Sequence, residues 1–241
     1  MKKILMLFMI CLCACIAIPL SAQAATSPIC KVQLSIGSVT SLDIAIDGNY
    51  YVKESEKTAI DRRTYTVKIV NDYLSLYEKS TGKCVISGKS SLSFVLCKAT
   101  SGKNNYASVY NTYWDSNVKY SGNMVFYISS KDTLTLVNQI YLEDYLPGVL
   151  YGEVGEGFNL EAIKAQAVIA RNFARNKIST SSVYDLGDTD NDQVYKGLVT
   201  TSQAPKCHQA VSETKDQYLY YYDEDAGKNV MATDLFYSSS N

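Results

Sequence analysis

The chain has 241 residues, 46% of them apolar and 20% charged, with a formal net charge of −1. That is the make-up of an ordinary globular protein of one large domain or two small ones. A near-neutral chain offers a polyanion no electrostatic footing, so nucleic acid is excluded as an expected partner. One histidine, His208, excludes a His-rich metal site. Any Ser/His or Cys/His nucleophile pair would depend on that single side chain, and its neighbour Cys207 is badly placed to face it.

Lys2 and Lys3 precede an almost purely apolar run, Ile4 to Leu20, and Ser21-Ala22-Gln23-Ala24 offers a small-residue cleavage site. Residues 1–24 are therefore expected to be a signal peptide. A retained anchor is the alternative, because 17 apolar residues approach the lower limit for spanning a bilayer. Leu12-Cys13-Ala14-Cys15 is also faintly like a lipoprotein box. All three readings put the remaining chain outside the cytoplasm, secreted into the cell wall or held at the outer face of the membrane. A membrane is a partner only if the segment stays. Cleavage removes two lysines and no acid, taking the net charge from −1 to −3. It also leaves four of seven cysteines: Cys30, Cys84, Cys97 and Cys207. Four permit two disulfides in an exported chain, and Cys84 and Cys97 flank a Gly/Ser-rich turn. The other reading is four small buried hydrophobes. None has metal-ligand spacing.

Residues 31 to about 140 read as β. Lys31 to Ile36, Leu42 to Ile46, Thr64 to Val70 and Leu92 to Leu96 are short runs that alternate or are rich in β-branched residues. Gly122 to Ile128 and Thr133 to Ile140 form the clearest hairpin, joined by Ser129-Ser130-Lys131-Asp132. Thr100 to Ser116, polar and Tyr-rich with the single tryptophan, Trp114, reads as a long loop or small insertion.

The pattern changes at Leu142. Leu142 to Tyr145 predicts a helical turn, and Pro147, well placed in a first turn, starts a helix to about Val154. Gly155 and Gly157 end it. Asn159 is the expected cap of the next helix, with Glu161 in its first turn. Leu160, Ile163, Ala167, Ala170 and Ala174 follow helical spacing, with Lys164, Arg171 and Arg175 on another side. Tyr184 to Tyr195 reads as an acidic loop, Cys207 to Thr214 as a short helix, and Gln217 to Tyr222 and Met231 to Tyr237 as strands around the turn Asp223 to Asn229. Asp188-Thr189-Asp190-Asn191-Asp192 is also like the start of a calcium loop, but Gln193 and Val199 stand where such a loop needs Gly and Glu.

Glu153 is the chemical focus. It sits at a helix end among apolar neighbours, Leu150, Tyr151, Val154 and Phe158, which would raise its pKa by desolvation. Glu156, in the Gly-rich break, is expected to be solvated.

Four ordered segments resemble the SpoIID/LytB family, the stage II sporulation protein D and amidase enhancer proteins. They are VNQIYLEDYLPGV (137–149); Glu153-Val154 with FNLEAIKAQA (158–167) and Ala170-Arg171; Tyr184-Asp185 and Asp188-Thr189 with QVYKG (193–197); and Ala210-Val211 to Leu219 with LFYSSSN (235–241). The likeness covers roughly residues 120 to 241. It implies an α+β fold: a β-rich N-terminal part followed by a small helical catalytic core packed on antiparallel strands. The expected organisation is a signal peptide over 1–24, a β-rich region over 25–120 and a SpoIID-like catalytic domain over 121–241. Two departures stand out. Where some members carry a Cys/His zinc site, this chain has Gly187, Asn191 and Asp192, so no metal and no cofactor are expected. Members also continue past the Ser-Asn with a Gly-Gly pair and a further part, so the chain is expected to be truncated at its C-terminus and weak or inactive in this form.

The resemblance implies a peptidoglycan lytic transglycosylase. Such an enzyme cleaves between N-acetylmuramic acid and N-acetylglucosamine of peptide-free glycan strands. The muramic 6-hydroxyl is the nucleophile, and the product is a 1,6-anhydro end. Ordinary glycosidases need two carboxylates. An internal nucleophile removes that need, so a lone Glu153 fits as catalytic acid and then base. Lys164, Arg171, Gln193 and Tyr195 are the expected substrate-binding residues, with a solvated face or an internal ion pair as the other reading for the first two. The rival function is a non-enzymatic amidase enhancer that binds the wall and another cell-wall hydrolase.

Overall fold

The computed structural model describes residues 27–56, 58–96 and 105–232. The leader, Cys97 and its expected link to Cys84, and the 235–241 motif lie outside the described residues. In chain order the elements are β1 (Ile29–Gln33), β2 (Ser41–Asp47), β3 (Tyr50–Val52), β4 (Thr58–Ile60), β5 (Thr64–Val70), β6 (Tyr73–Glu78), β7 (Cys84–Lys89), β8 (Ser91–Leu96), β9 (Tyr106–Asn111), β10 (Ser116–Tyr120), β11 (Asn123–Ile128) and β12 (Leu134–Tyr141). Then follow α1 (Leu142–Glu153), α2 (Leu160–Lys177), β13 (Leu186–Gly187), α3 (Pro205–Glu213), β14 (Tyr220–Asp223) and β15 (Lys228–Met231). The fold is α+β, as expected. Among the described residues no helix is long and apolar enough to cross a membrane.

Two sheets carry the core. One has the order β13-β1-β12-β11-β8-β3-β4 and the other β10-β9-β2-β5-β6-β7. Neighbours are antiparallel except β1 and β13. Period-two alternation sends Val32, Ile44, Val67, Leu76, Phe94 and Phe126 inward, where both sheets contribute to one apolar cluster. Burying a side chain of that size removes it from water for about 1.5–3 kcal/mol. Cys30 and Cys207 are fully buried in the same cluster, as small hydrophobes. β1, from the start of the described chain, pairs along its whole length with β12, more than a hundred residues later. That pairing delivers α1, which begins at the next residue after β12, to the edge of the core.

The stretch read as a loop from Thr100 is instead the β9–β10 hairpin over its described part. Its alternation was hidden because one inward residue is polar. Asn111 is fully buried beside Ala107 and Val109, and gives its amide to the Tyr120 hydroxyl (2.9 Å) and to Asp188 (2.6 Å). The helix expected from Pro147 begins five residues earlier, at Leu142. Proline there removes one intrahelical hydrogen bond. Burial of Leu142, Tyr145 and Leu146, and a bond from the Leu142 N–H to the Pro28 carbonyl, hold the first turn in place regardless. Helix α2 follows its expected stripe, with Ile163, Ala167, Ala170 and Ala174 buried. Asn159 caps it: its side-chain oxygen accepts from the Ala162 N–H at 2.8 Å. Replacing Asn159 with Ala is expected to cost about 1 kcal/mol in urea denaturation, with Asn159→Asp close to wild type.

Candidate active site

Glu153 ends α1. The Leu150 carbonyl takes both the Val154 and Gly155 N–H groups, at 3.0 and 2.9 Å. Gly155, at φ +66°, turns the chain away in the left-handed region that glycine tolerates. The carboxylate is left half-buried on the last turn. One oxygen accepts the Val194 backbone N–H at 2.7 Å. Its pKa is pushed above the ordinary glutamate value chiefly by burial; the Val194 N–H opposes this, and the charge of Asp190 adds to it. The negative end of the α1 dipole acts in the same direction as burial.

Val194 reaches Glu153 because α1 is thinned on one side. A methyl group on Gly148 would lie 2.3 Å from the Gly197 carbonyl oxygen, and one on Gly152 would lie 2.4 Å from the Val194 carbonyl oxygen. Four residues apart, the two glycines form a channel in which residues 194–197 lie flat against the helix. Lys196 N–H closes the contact on the Gly148 carbonyl at 3.2 Å. In an exposed helix Gly→Ala gains up to about 1 kcal/mol. Here the sign reverses. Gly152→Ala is expected to cost about 1–3 kcal/mol by overpacking against the Val194 carbonyl, measured by urea denaturation.

Along 193–198 inward and outward residues alternate. Gln193, Tyr195 and Gly197 are buried, while Val194, Lys196 and Leu198 are half-buried and face the site. The tip of the β9–β10 hairpin supplies the opposite wall. The Trp114 indole N–H donates to the Tyr195 carbonyl at 3.2 Å, and Lys196 Nζ lies 3.6 Å from the centroid of the Trp114 ring. Tyr113 packs edge-on against Trp114 at 4.9 Å. Its phenol lies against the Asp190 backbone and feels the charge of both Asp190 and Glu153, although burial is the larger cause of its raised pKa. Tyr113 is 41% exposed, so its ring is open to a ligand beside the acid.

The four expected substrate-binding residues are placed differently. Arg171 is fully buried. Its Nε and Nη2 form a two-pronged pair with Glu143 at 2.8 and 2.9 Å, and its remaining donors meet the Ala167, Val211 and Gln217 carbonyls and Thr214. It ties α2 to α1 and α3. Gln193 is also fully buried, bridging the Tyr145 hydroxyl (3.3 Å) and the Ala170 carbonyl (3.3 Å). Tyr195 is enclosed between Tyr145 and Tyr120, its hydroxyl on Asn138 at 3.2 Å. Lys164 lies at the surface between Glu161 (2.8 Å) and Glu213 (2.5 Å). Arg171, Gln193 and Tyr195 thus have their polar atoms engaged inside the fold, holding the elements that frame Glu153. The other reading of the two cations is a solvated face or an internal ion pair: Arg171 forms an internal pair with Glu143, and Lys164 lies on the surface between two acids. Glu156, expected to be solvated, is part-exposed and also bonded. It accepts the Lys206 and Cys207 N–H groups at 3.0 Å each and caps α3 from outside, and those bonds outweigh its burial and hold its pKa low.

Residues that the sequence reading missed are Val194, Lys196, Tyr113, Asp190 and the structural use of Gly148 and Gly152. The period-two alternation of Q-V-Y-K-G was a signal for Val194 and Lys196; the acidic run marked Asp190 only as like a calcium loop, and nothing local marked Tyr113. Among the described residues no group of three or more His, Cys, Asp or Glu is placed to hold a metal ion. Asp188 instead accepts from Ser35 and Asn111, and Asp192 from the Gly187 N–H and Lys177.

An acid with a raised pKa, one backbone donor on it and the exposed Tyr113 ring within reach of its charge define a candidate acid/base site. Residues 130–221 match the SpoIID family, described as stage II sporulation protein. The chain carries a SpoIID-family domain over that range. It is 35% identical over 107 residues to an uncharacterised protein of Brachyspira hyodysenteriae, a match that takes in 43% of this chain and 28% of that protein. The chain thus spans well under half the length of that relative. No solved structure matches.

Proposed function

We propose that this chain is a peptidoglycan lytic transglycosylase acting outside the cytoplasm on the bond between N-acetylmuramic acid and N-acetylglucosamine. The observation that carries the reading is Glu153, half-buried with a raised pKa and steered by the Val194 N–H. In that reading protonated Glu153 gives its proton to the glycosidic oxygen as the C1–O bond breaks. The muramic 6-hydroxyl then bonds to C1, and its proton returns to Glu153, so no water is consumed and the acid is regenerated. Asp190 contributes a negative charge that keeps the proton on Glu153 and offsets positive charge developing at C1. Tyr113 and Trp114 offer flat faces for pyranose rings.

The test is incubation with peptide-free glycan strands followed by mass spectrometry of the ends. Anhydromuramic ends support the reading. Reducing ends, heavier by one water, overturn it in favour of a two-carboxylate hydrolase built on Glu153 and Asp190. Binding without any cleavage overturns it in favour of the amidase-enhancer role.

A further inference from the structure

The outer face of the six-stranded sheet carries an open cavity of about 660 Å³. Alternation along β2, β5 and β9 sends Ile44, Val67 and Val109 into the core and leaves Asp43, Thr64 and Ser108 outside. The helices pack on one another and against β1 and β12 of the other sheet, and none of them lines this cavity. Register explains the hollow. Ala45 pairs with Thr64 on one side and with Ser108 on the other. Three small side chains therefore stand abreast at strand spacings of about 4.8 Å, a floor about 10 Å across. Larger side chains border it. Tyr110 and Asn117, paired across the β9–β10 hairpin, stand along one side. Asp43 and Lys79 stand along another, joined at 2.6 Å.

This lining narrows the choice of ligand. Lys79 is its one cation, and Asp43 neutralises it, so nothing there draws a phosphate or a polyanion. Leu42 is its one large aliphatic side chain, too little for a lipid or an apolar peptide. What remains is a bed of hydroxyl, amide and carboxylate groups that both donate and accept. Asp43 takes one bond on each oxygen, from Lys79 and from Thr66, and keeps a lone pair on each. Tyr110 adds an aromatic face that is 44% exposed. Its hydroxyl donates to Asp115 in the hairpin turn, which fixes the ring before a ligand arrives.

We propose that this trough is a non-catalytic binding site for a neutral oligosaccharide, separate from the Glu153 site. Tyr110 stacks on a pyranose ring, and Asp43, Asn117 and the floor hydroxyls bond its hydroxyl and acetamido groups. The assignment rests on the lining itself and not on the reaction proposed for the acid. One hairpin joins the two places: Tyr110 lies three residues before Tyr113, at the tip opposite Glu153. A glycan held in the trough keeps neighbouring strands at high local concentration beside the acid.

The probe is N-acetylchitotetraose, a neutral sugar with no lactyl group and no peptide. It is titrated into the full chain bearing Glu153→Gln, and backbone amides are followed by NMR. The Thr64 and Ser108 amides are expected to shift as it binds. Ala45→Arg lays a long side chain across the floor from the solvent side. It is expected to weaken binding about tenfold or more with the thermal midpoint unchanged. Tyr110→Ala is expected to cost about tenfold, the worth of one aromatic contact. If Ala45→Arg fails to fold, Ser108→Arg on the same row decides the point. Still amides at Thr64 and Ser108, undiminished affinity in the floor variants, or equal binding of a sugar-free stem peptide would each overturn the site. Ala45→Arg is also expected to leave more of the chain in solution when insoluble peptidoglycan is sedimented, and equal sedimentation would overturn the tethering role. Binding is read without turnover, so failure of the transglycosylase reading appears separately, in the product assay.

Discussion

Glu153→Gln is expected to lower product formation by about 100- to 10,000-fold, the usual worth of a positioned general acid/base, while leaving the fold intact. Glutamine still offers an oxygen to the Val194 N–H at the same place, so the variant loses the proton and little else. The pH profile carries the finer test. Burial, with Asp190 adding to it, holds the Glu153 pKa above the ordinary glutamate value. The acid form persists to higher pH than a free glutamate would allow, and rate falls as pH rises through the raised pKa. Asp190→Asn removes a negative charge that favours the proton, so the alkaline limb moves to lower pH; no movement would discard the electrostatic role of Asp190. Linkage gives a matching stability signature. A carboxyl whose folded pKa is raised contributes stability that is present below the unfolded pKa and lost as pH rises through the folded one. Glu153→Gln is therefore no less stable than wild type near neutral pH, and the two converge in acid. A variant that is inactive because it is unfolded would fail this comparison.

Arg171→Leu is expected to produce the largest loss of stability, about 3–5 kcal/mol, because it strands the Glu143 carboxylate inside the protein. At roughly 2–4 °C per kcal/mol for a chain of this size, the thermal midpoint falls by about 6–20 °C. Arg171→Lys recovers only part of this, since an ammonium cannot reproduce the two-pronged contact at 2.8 and 2.9 Å. Replacing both partners, Arg171→Met with Glu143→Leu, recovers much of the loss by leaving no unpaired charge. Turnover of each variant should track its folded fraction. An Arg171→Lys protein that is fully folded yet has a raised KM would restore a substrate role for this residue.

The two predictions concern residues that the sequence made visible to different degrees. Glu153 was legible because its surroundings are local: apolar neighbours on one helical turn and a glycine that stops the helix immediately after it. Arg171 was legible as a cation on a helix face but not as a buried one. Its acceptors include Glu143, 28 positions earlier, and carbonyls 40 and 46 positions later, and no short window along the chain contains both. Gln193 and Tyr195 show the same limit in reverse. Their motif marks them as special, and the fold uses them as internal struts while the less conspicuous Val194 and Lys196 between them face the acid.

Local chemistry therefore determined the strands with clean alternation, the Asn159 cap, the helix stop at Gly155 and the raised acid at Glu153, since propensity, capping and desolvation by neighbours act within a turn or two of chain. Tertiary structure alone decided what stands around that acid. Pairing of β1 with β12 carries α1 to the core edge, two missing side chains at Gly148 and Gly152 admit the 194–197 backbone, and the β9–β10 tip brings Tyr113 and Trp114 across from it. Those partners meet only when the sheets close, because each contact is set by the sum of many distant packings rather than by any residue's own neighbours.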